Sequence, residues 1–396
     1  MEKRIIYLDN NATTKIDEEV MNAMQPYFTE KYANPSGVYY FAQEVKKDIE
    51  NARENVAKLL NANPDEVVFT SGGTESDNMA IKGIAFANKE KGKHIITSAI
   101  EHHAVLNTCR YLEKNGFEIT YLPVDKYGII DIDMLKKSIR KDTILITVMY
   151  ANNEIGTIEP IEEIGKIARE KNIYFHTDAV QAAGKIDIDV KKLNVDLLSI
   201  SAHKFYGPKG IGALYINKKV KIEPILHGGH HEKNRRAGTE NVAAIIGMGK
   251  ACEIAIKNLK DQSYKMKIKS LRDKLEKEIL KNIPEVIVNG SPEKRVDNTL
   301  NICIKYIEGE SVLINLDFEN ICASSGSACT SGSLEPSHVL LALGLPHEIA
   351  HGSIRFSLSK YNTEEDIDKV INVLPGIVEK LRNVSPFWKE RKNDAK

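Results

Sequence analysis

Residues 196–210 read D-L-L-S-I-S-A-H-K-F-Y-G-P-K-G. A run of apolar residues ends in a lysine and then in a glycine–proline turn. The run has the length and composition of a buried strand, so Lys204 is expected just past its carboxyl end. Open α/β sheets bind ligands outside the carboxyl ends of their strands. A lysine held there could form a Schiff base with pyridoxal phosphate or a carbonyl substrate. Taken alone it is also an ordinary exposed turn lysine, so the surrounding chain has to decide.

Working outward, the same grammar repeats. Apolar strand patterns at 65–70 (DEVVFT), 94–98 (HIITS), 117–124 (FEITYLPV), 143–150 (TILITVMY), 173–179 (IYFHTDA), 195–201 (VDLLSIS) and 211–217 (IGALYIN) mostly alternate with amphipathic helical stretches. That predicts a mostly parallel sheet covered on both faces. From about 240 to 283 runs a long helical pattern, long enough to leave one domain and enter another. Beyond it VIVNG, NTLNICIK and SIRFSLS predict strands of a smaller α+β domain, with helices at 311–319, 335–343 and 363–382. We expect a large domain over 13–262, and a small one from 1–12 and 263–396 that carries a mobile cysteine loop at about 322–334.

Gross composition fits this reading. The 396 residues are long for a single core. Lys plus Arg number 55 and so do Asp plus Glu, which gives zero formal charge and no electrostatic footprint for nucleic acid or anionic membrane. No signal peptide and no membrane span is expected. Five scattered cysteines (Cys109, Cys252, Cys303, Cys322, Cys329) argue for a reducing, cytoplasmic setting and against a disulfide framework or a structural zinc site.

Other strand ends carry chemistry too. Asp178 closes IYFHTDA, where a carboxylate could meet a pyridine nitrogen; the bland alternative is a helix cap. In T-S-G-G-T-E-S, residues 70–76, a glycine pair and a hydroxyl open a helix after a strand. That makes a phosphate cup, with Gly73 allowing close approach, or else a simple N-cap. His102 and His103 follow HIITS, and Asn153 follows TILITVMYA. Either histidine could stack on a ring or shuttle protons. Arg355, in SIRFSLS, could clamp a carboxylate with its planar fork. In H-G-G-H-H-E-K-N-R-R-A-G-T-E-N, residues 227–241, anion binding by Thr239 and the arginines is favoured over metal ligation. Several of these segments converge on one edge of one sheet, which chance would not arrange.

Residues 321–335 pose a separate question. I-C-A-S-S-G-S-A-C-T-S-G-S-L-E sets Cys329 among serines and glycines, with nothing to pack a core. A structural cysteine wants a better-packed neighbourhood.

With these segments in view, the chain resembles the cysteine desulfurases of the NifS/IscS group. YLDNNATT, SGGTES, IEH, NNEIG, HTDAVQ, SAHKFYGPKG, RRAGTEN, SSGSACTSG and SIRFSL carry the resemblance, which covers nearly the whole chain. It implies a fold-type I, pyridoxal-phosphate-dependent homodimer of the class V aminotransferase superfamily. On that basis Lys204 would hold the cofactor and Asp178 its ring nitrogen. Gln181 would meet the phenolic oxygen, and His102 would stack on the ring. Gly73, Thr74, Ser201 and His203 would hold the phosphate, joined by Thr239 from the partner subunit. Asn153 and Arg355 would grip the carboxylate of L-cysteine. Cys329 would take the sulfur as a persulfide, leaving alanine, and pass it to a sulfur-acceptor protein such as an iron–sulfur scaffold. A selenocysteine lyase or another fold-type I enzyme is the alternative. The chain departs from the family pattern at Tyr39 and Ala42, and at His230–His231 in the G-G-H-H-E-K loop.

Overall fold

The computed structural model describes residues 4–325 and 335–388. Its strands in chain order are β1 (Ile6–Tyr7), β2 (Val67–Thr70), β3 (His94–Ser98), β4 (Glu118–Leu122), β5 (Thr143–Thr147) and β6 (Tyr174–Asp178), then β7 (Leu197–Ser201), β8 (Gly212–Ile216), β9 (Val286–Asn289), β10 (Thr299–Ile304), β11 (Ile321–Cys322) and β12 (Ser353–Ser357).

Seven strands form the main sheet, in the order β2–β8–β7–β6–β5–β3–β4. From β7 to β4 all pairings are parallel. Only β8 runs against both of its neighbours. The reason is connection length: residues 202–211 between β7 and β8 are too few for the crossover that a parallel neighbour needs. Since β8 reverses twice, β2 runs with the rest. The carboxyl ends of β2, β3, β5, β6 and β7 therefore face one edge.

Alternation along the strands feeds two apolar layers. Phe175, Leu198 and Ile200 pack beneath the helices Tyr40–Leu60 and Val242–Lys260. Ile95, Leu145 and Leu197 pack beneath the helices Gly73–Ala87 and His103–Glu113. With both faces covered, the central strands are buried throughout, which explains their near-continuous apolar sequences.

A second core lies around the antiparallel sheet β12–β10–β9, beneath the helices Gln262–Asn282, Gly309–Phe318 and Glu364–Val384. Ile6 and Leu8 belong to this core, brought there by the pairing of β1 with β11. The long helical pattern at 240–283 resolves into two helices. Asp261 is extended between them (φ −88°, ψ 104°) and its carboxylate accepts from the Ser263 and Tyr264 N–H groups, capping the second. A local side-chain cap competes with helix continuation there. Among the described residues no helix is long and apolar enough to cross a membrane.

Candidate active site

A cavity of about 280 Å³ opens at the carboxyl edge of the main sheet. Gly73, Thr74, His102, Asn153, Asp178, Gln181, Ser201, His203, Lys204 and Arg355 all line it. Each of these was expected from the sequence, and the strand ends bring them together.

Lys204 ends a 3-10 turn, Ala202–Lys204, that leaves β7. Its Nζ donates to the carbonyls of Asn11 and Ala12, both at 2.7 Å. Asp178 terminates β6 and accepts the Val180 N–H at 2.9 Å. Burial pushes its carboxyl up to about 6, against the pull of that N–H and of Lys204. The residue is therefore poised to hold either a proton or a charge, and an adjacent cation would favour the charge.

His102 caps the helix His103–Glu113, and its Nδ1 accepts the Ala104 N–H at 3.1 Å. The ring proton therefore sits on Nε2 in the neutral form. Burial, then the charge of Lys204, pushes His102 down to about 4, so it is neutral near pH 7. His103 turns away from the cavity and packs against His338, ring centres 4.7 Å apart. Of the two candidate histidines, only His102 lines the cavity. His203 contacts Thr13 Oγ1 at 3.1 Å and is also pushed down to about 4, chiefly by burial.

Gly73 begins a fifteen-residue helix whose free N–H groups face the cavity edge. A Cβ on Gly73 would lie 2.8 Å from Val180 Cγ2, so only glycine lets the helix start come this close. Arg355 reaches across from β12. It donates to the Asn153 carbonyl at 3.0 Å and to Asp9 Oδ1 at 2.6 Å, while its buried Nε has no partner. Asn153 thus holds Arg355 through its main chain.

Two expectations fall elsewhere. Thr239 is exposed and does not line the cavity of its own chain. The neighbouring Arg236 is tied to Glu75 at 2.8 Å, and Arg235 donates to the Asp65 carbonyl, so neither arginine extends into the cavity. Cys329 lies outside the described residues. Of the departures from the family pattern, the 227–241 loop is anchored by Glu232, whose carboxylate is held by Arg53 at 2.7 Å and by the Phe69 N–H at 2.9 Å. Tyr39 is exposed at the start of the helix Tyr40–Leu60.

Sequence reasoning passed over three residues. Asn11 is a hub: its carbonyl accepts from Lys204 and Gln181, its Nδ2 donates to Thr299 and to the Asn153 carbonyl, and its N–H donates to Ser357 Oγ. Asp77 is fully buried on the first helix turns, and burial together with Asp178 pushes its carboxyl well up. A carboxylate at a core position of an amphipathic helix was the available signal. Lys185 donates to Gln181 Oε1 at 2.7 Å.

Comparison with known proteins identifies the family. The aminotransferase class-V family matches residues 6–370. Cysteine desulfurase IscS of Dictyoglomus turgidum is 58% identical over 394 residues, spanning 100% of both chains. Among solved structures, a NifS-like protein has a TM-score of 0.90 at 40% identity, covering 96% of this chain and 100% of its own. SspA in complex with cysteine has a TM-score of 0.80 at 40% identity, covering 90% and 100%. The chain belongs to the class-V aminotransferase family and, within it, to the NifS/IscS-like cysteine desulfurases.

Proposed function

We propose that this chain is a pyridoxal-phosphate-dependent cysteine desulfurase that turns L-cysteine into L-alanine and carries the sulfur away on Cys329. The observation behind this is the convergence of Lys204, Asp178, His102, Gln181, Arg355 and the Gly73 helix start on one cavity. The likeness to a protein solved with cysteine supports the substrate.

The residues fit the cofactor. The helix start at Gly73 lines the cavity with free N–H groups that suit a phosphate. Asp178 is a buried acid lining the same cavity, and Lys204 lines it too. Lys204 would hold the cofactor, Asp178 its ring nitrogen and Gln181 its phenolic oxygen, with His102 against the ring. Gly73, Thr74, Ser201 and His203 would hold the phosphate, helped by Thr239 of the partner subunit in a homodimer. When bound, pyridoxal phosphate supplies an electron sink for the bonds at the substrate's Cα and Cβ.

The chain's own residues do the rest. Arg355 and Asn153 bind the substrate carboxylate, the arginine through a planar fork. Lys204 Nζ takes and returns the α-proton. Cys329, as thiolate, attacks the substrate sulfur. The Cβ–S bond breaks, its electron pair stays on carbon, and Cβ takes a proton. An S–S bond forms on Cys329, so one cysteine and one thiol become one alanine and one persulfide. The persulfide sulfur then passes to a thiol of an acceptor protein, such as an iron–sulfur scaffold, in the cytoplasm.

The test is alanine release from L-cysteine, in the presence of a reductant, by the wild type and by Cys329→Ser. The wild type is expected to give alanine and sulfide in equal amounts. The variant is expected to keep the cofactor's spectrum and give neither. If both proteins bind the cofactor and neither makes alanine, the substrate is wrong, and selenocysteine is the next to assay.

A further inference from the structure

This inference rests on the pyridoxal-phosphate reading and deepens it. Gln181 is 4% exposed and its two amide ends face different neighbours. Nε2 donates to the Asn11 carbonyl at 2.9 Å, and Oε1 accepts from Lys185 Nζ at 2.7 Å. A main-chain carbonyl can only accept, so the nitrogen must face Asn11 and the oxygen must face Lys185. Lys204 Nζ donates to the same Asn11 carbonyl at 2.7 Å. Gln181 Nε2 and the reactive lysine are thus aimed at one point.

Lys185 has no other evident task. Its Nζ has two acceptors among the described residues, Gln181 Oε1 and, at 3.3 Å, Asn11 Oδ1, and neither is a carboxylate. A half-buried amine without a counter-ion carries a cost. Burial, with Lys204 and Arg355 as the facing charges, pulls Lys185 down to about 7, yet the amine donates in either protonation state. What the cost secures is the orientation of one amide. With that donor gone, the Asn11 carbonyl alone would hold the amide against turning its oxygen toward Lys204 and toward any oxygen on a group that Lys204 holds.

We propose that Lys185 is a positioning residue: by donating to Gln181 Oε1 it keeps the Gln181 N–H turned toward Lys204, so that the phenolic oxygen of the bound cofactor meets a donor and never a carbonyl.

The test is a double-mutant cycle on the cofactor-loaded protein, read from the pH midpoint of the visible band of the lysine–cofactor Schiff base. A donor at the phenolic oxygen favours the deprotonated form, so its loss raises the midpoint. Lys185→Met and Gln181→Ala should each raise it by about one pH unit, the worth of one hydrogen bond. The double variant should move no further than Gln181→Ala alone. If Lys185→Met leaves the midpoint in place, or if more than half of its effect persists in the Gln181→Ala background, Lys185 acts as a charge or as a structural group and the proposal fails. Should Lys185→Met not fold by thermal melting, the same cycle is read with Lys185→Leu. Failure of the underlying reading looks different: the wild type would then form no visible band with pyridoxal phosphate.

Discussion

Arg355 on β12 and Asp9, two residues beyond β1, meet at 2.6 Å, which neutralises one arm of the guanidinium before any substrate arrives. A second arm holds the Asn153 carbonyl, and the buried Nε is left without a partner. The fork is therefore fixed in direction from two sides and keeps a donor in reserve. Lysine at this position could satisfy Asp9 or a substrate carboxylate but not both. Arg355→Lys should raise KM for L-cysteine roughly tenfold to a hundredfold, the worth of one charge-assisted hydrogen bond, and change kcat little. Steady-state alanine production checks this. A fall in kcat at unchanged KM would place Arg355 in the chemistry rather than in binding.

Gly73 couples the helix start to Asp178 through one side chain. Its missing Cβ leaves room for Val180, whose N–H is held by the Asp178 carboxylate. Gly73→Ala should push Val180 aside, with a cost in the usual range for overpacking, about 1–3 kcal/mol. Pyridoxal-phosphate affinity is then expected to fall at least about tenfold. Val180→Ala in the same chain should recover most of the loss. A fluorescence titration of the cofactor decides it: no recovery in the double variant would mean that the glycine matters for its backbone and not for the contact.

The strand-end residues were legible because buried parallel strands spell themselves as apolar runs, and the residues just past each run sit at a known edge. Lys204, Asp178, Asn153 and the pair His102–His103 are legible that way, and Gly73 by its helix start; the resemblance alone singles out His102. Arg355 was visible only as a charge on an apolar strand; its hold on Asp9 spans 346 positions and leaves no local trace. Asn11 lies in YLDNNATT with no local sign of its role, because that role is made of main-chain and side-chain contacts to both cores. The reversal of β8 came from a connection length that the apolar pattern does not weigh. The break at Asp261 is legible in principle, since aspartate is a preferred N-cap residue. Thr239 is expected to act from a partner subunit, and in its own chain it is exposed and away from the cavity.

His102 makes the pH dependence of stability testable. Its folded value of about 4 lies below the ordinary 6.5, so the unfolded chain binds the proton more tightly. Stability from this group is present above 6.5 and is lost as pH falls toward 4. His176, pushed down to about 3 by burial, and His203 add slope of the same sign. His102→Gln should flatten the profile in that window by up to about 1.4 kcal/mol per pH unit. Urea unfolding of the cofactor-free protein between pH 4.5 and 7.5 measures it. An unchanged slope would mean that His102 titrates as it does in the unfolded chain.

Asp178 should behave in the opposite sense. Burial raises its folded value to about 6 from 3.8, so in the cofactor-free protein its stabilising effect is present below about 4 and is lost as pH rises through 6. Asp77 shares the same wall and is itself pushed up by burial and by Asp178, so ionising both carboxyls there is unfavourable. Asp178→Asn keeps an oxygen for the Val180 N–H and removes the buried charge. The cofactor-free variant is expected to be more stable than wild type at pH 7.5, by about 1–3 kcal/mol, and equal to it near pH 4. Turnover is expected to fall by more than about a hundredfold, because a neutral amide cannot balance a protonated ring nitrogen. The paired result is diagnostic: a charge that destabilises the empty protein and is indispensable to the loaded one is held for the cofactor. A variant that is less stable at pH 7.5 would assign Asp178 to the fold instead, whatever its effect on rate.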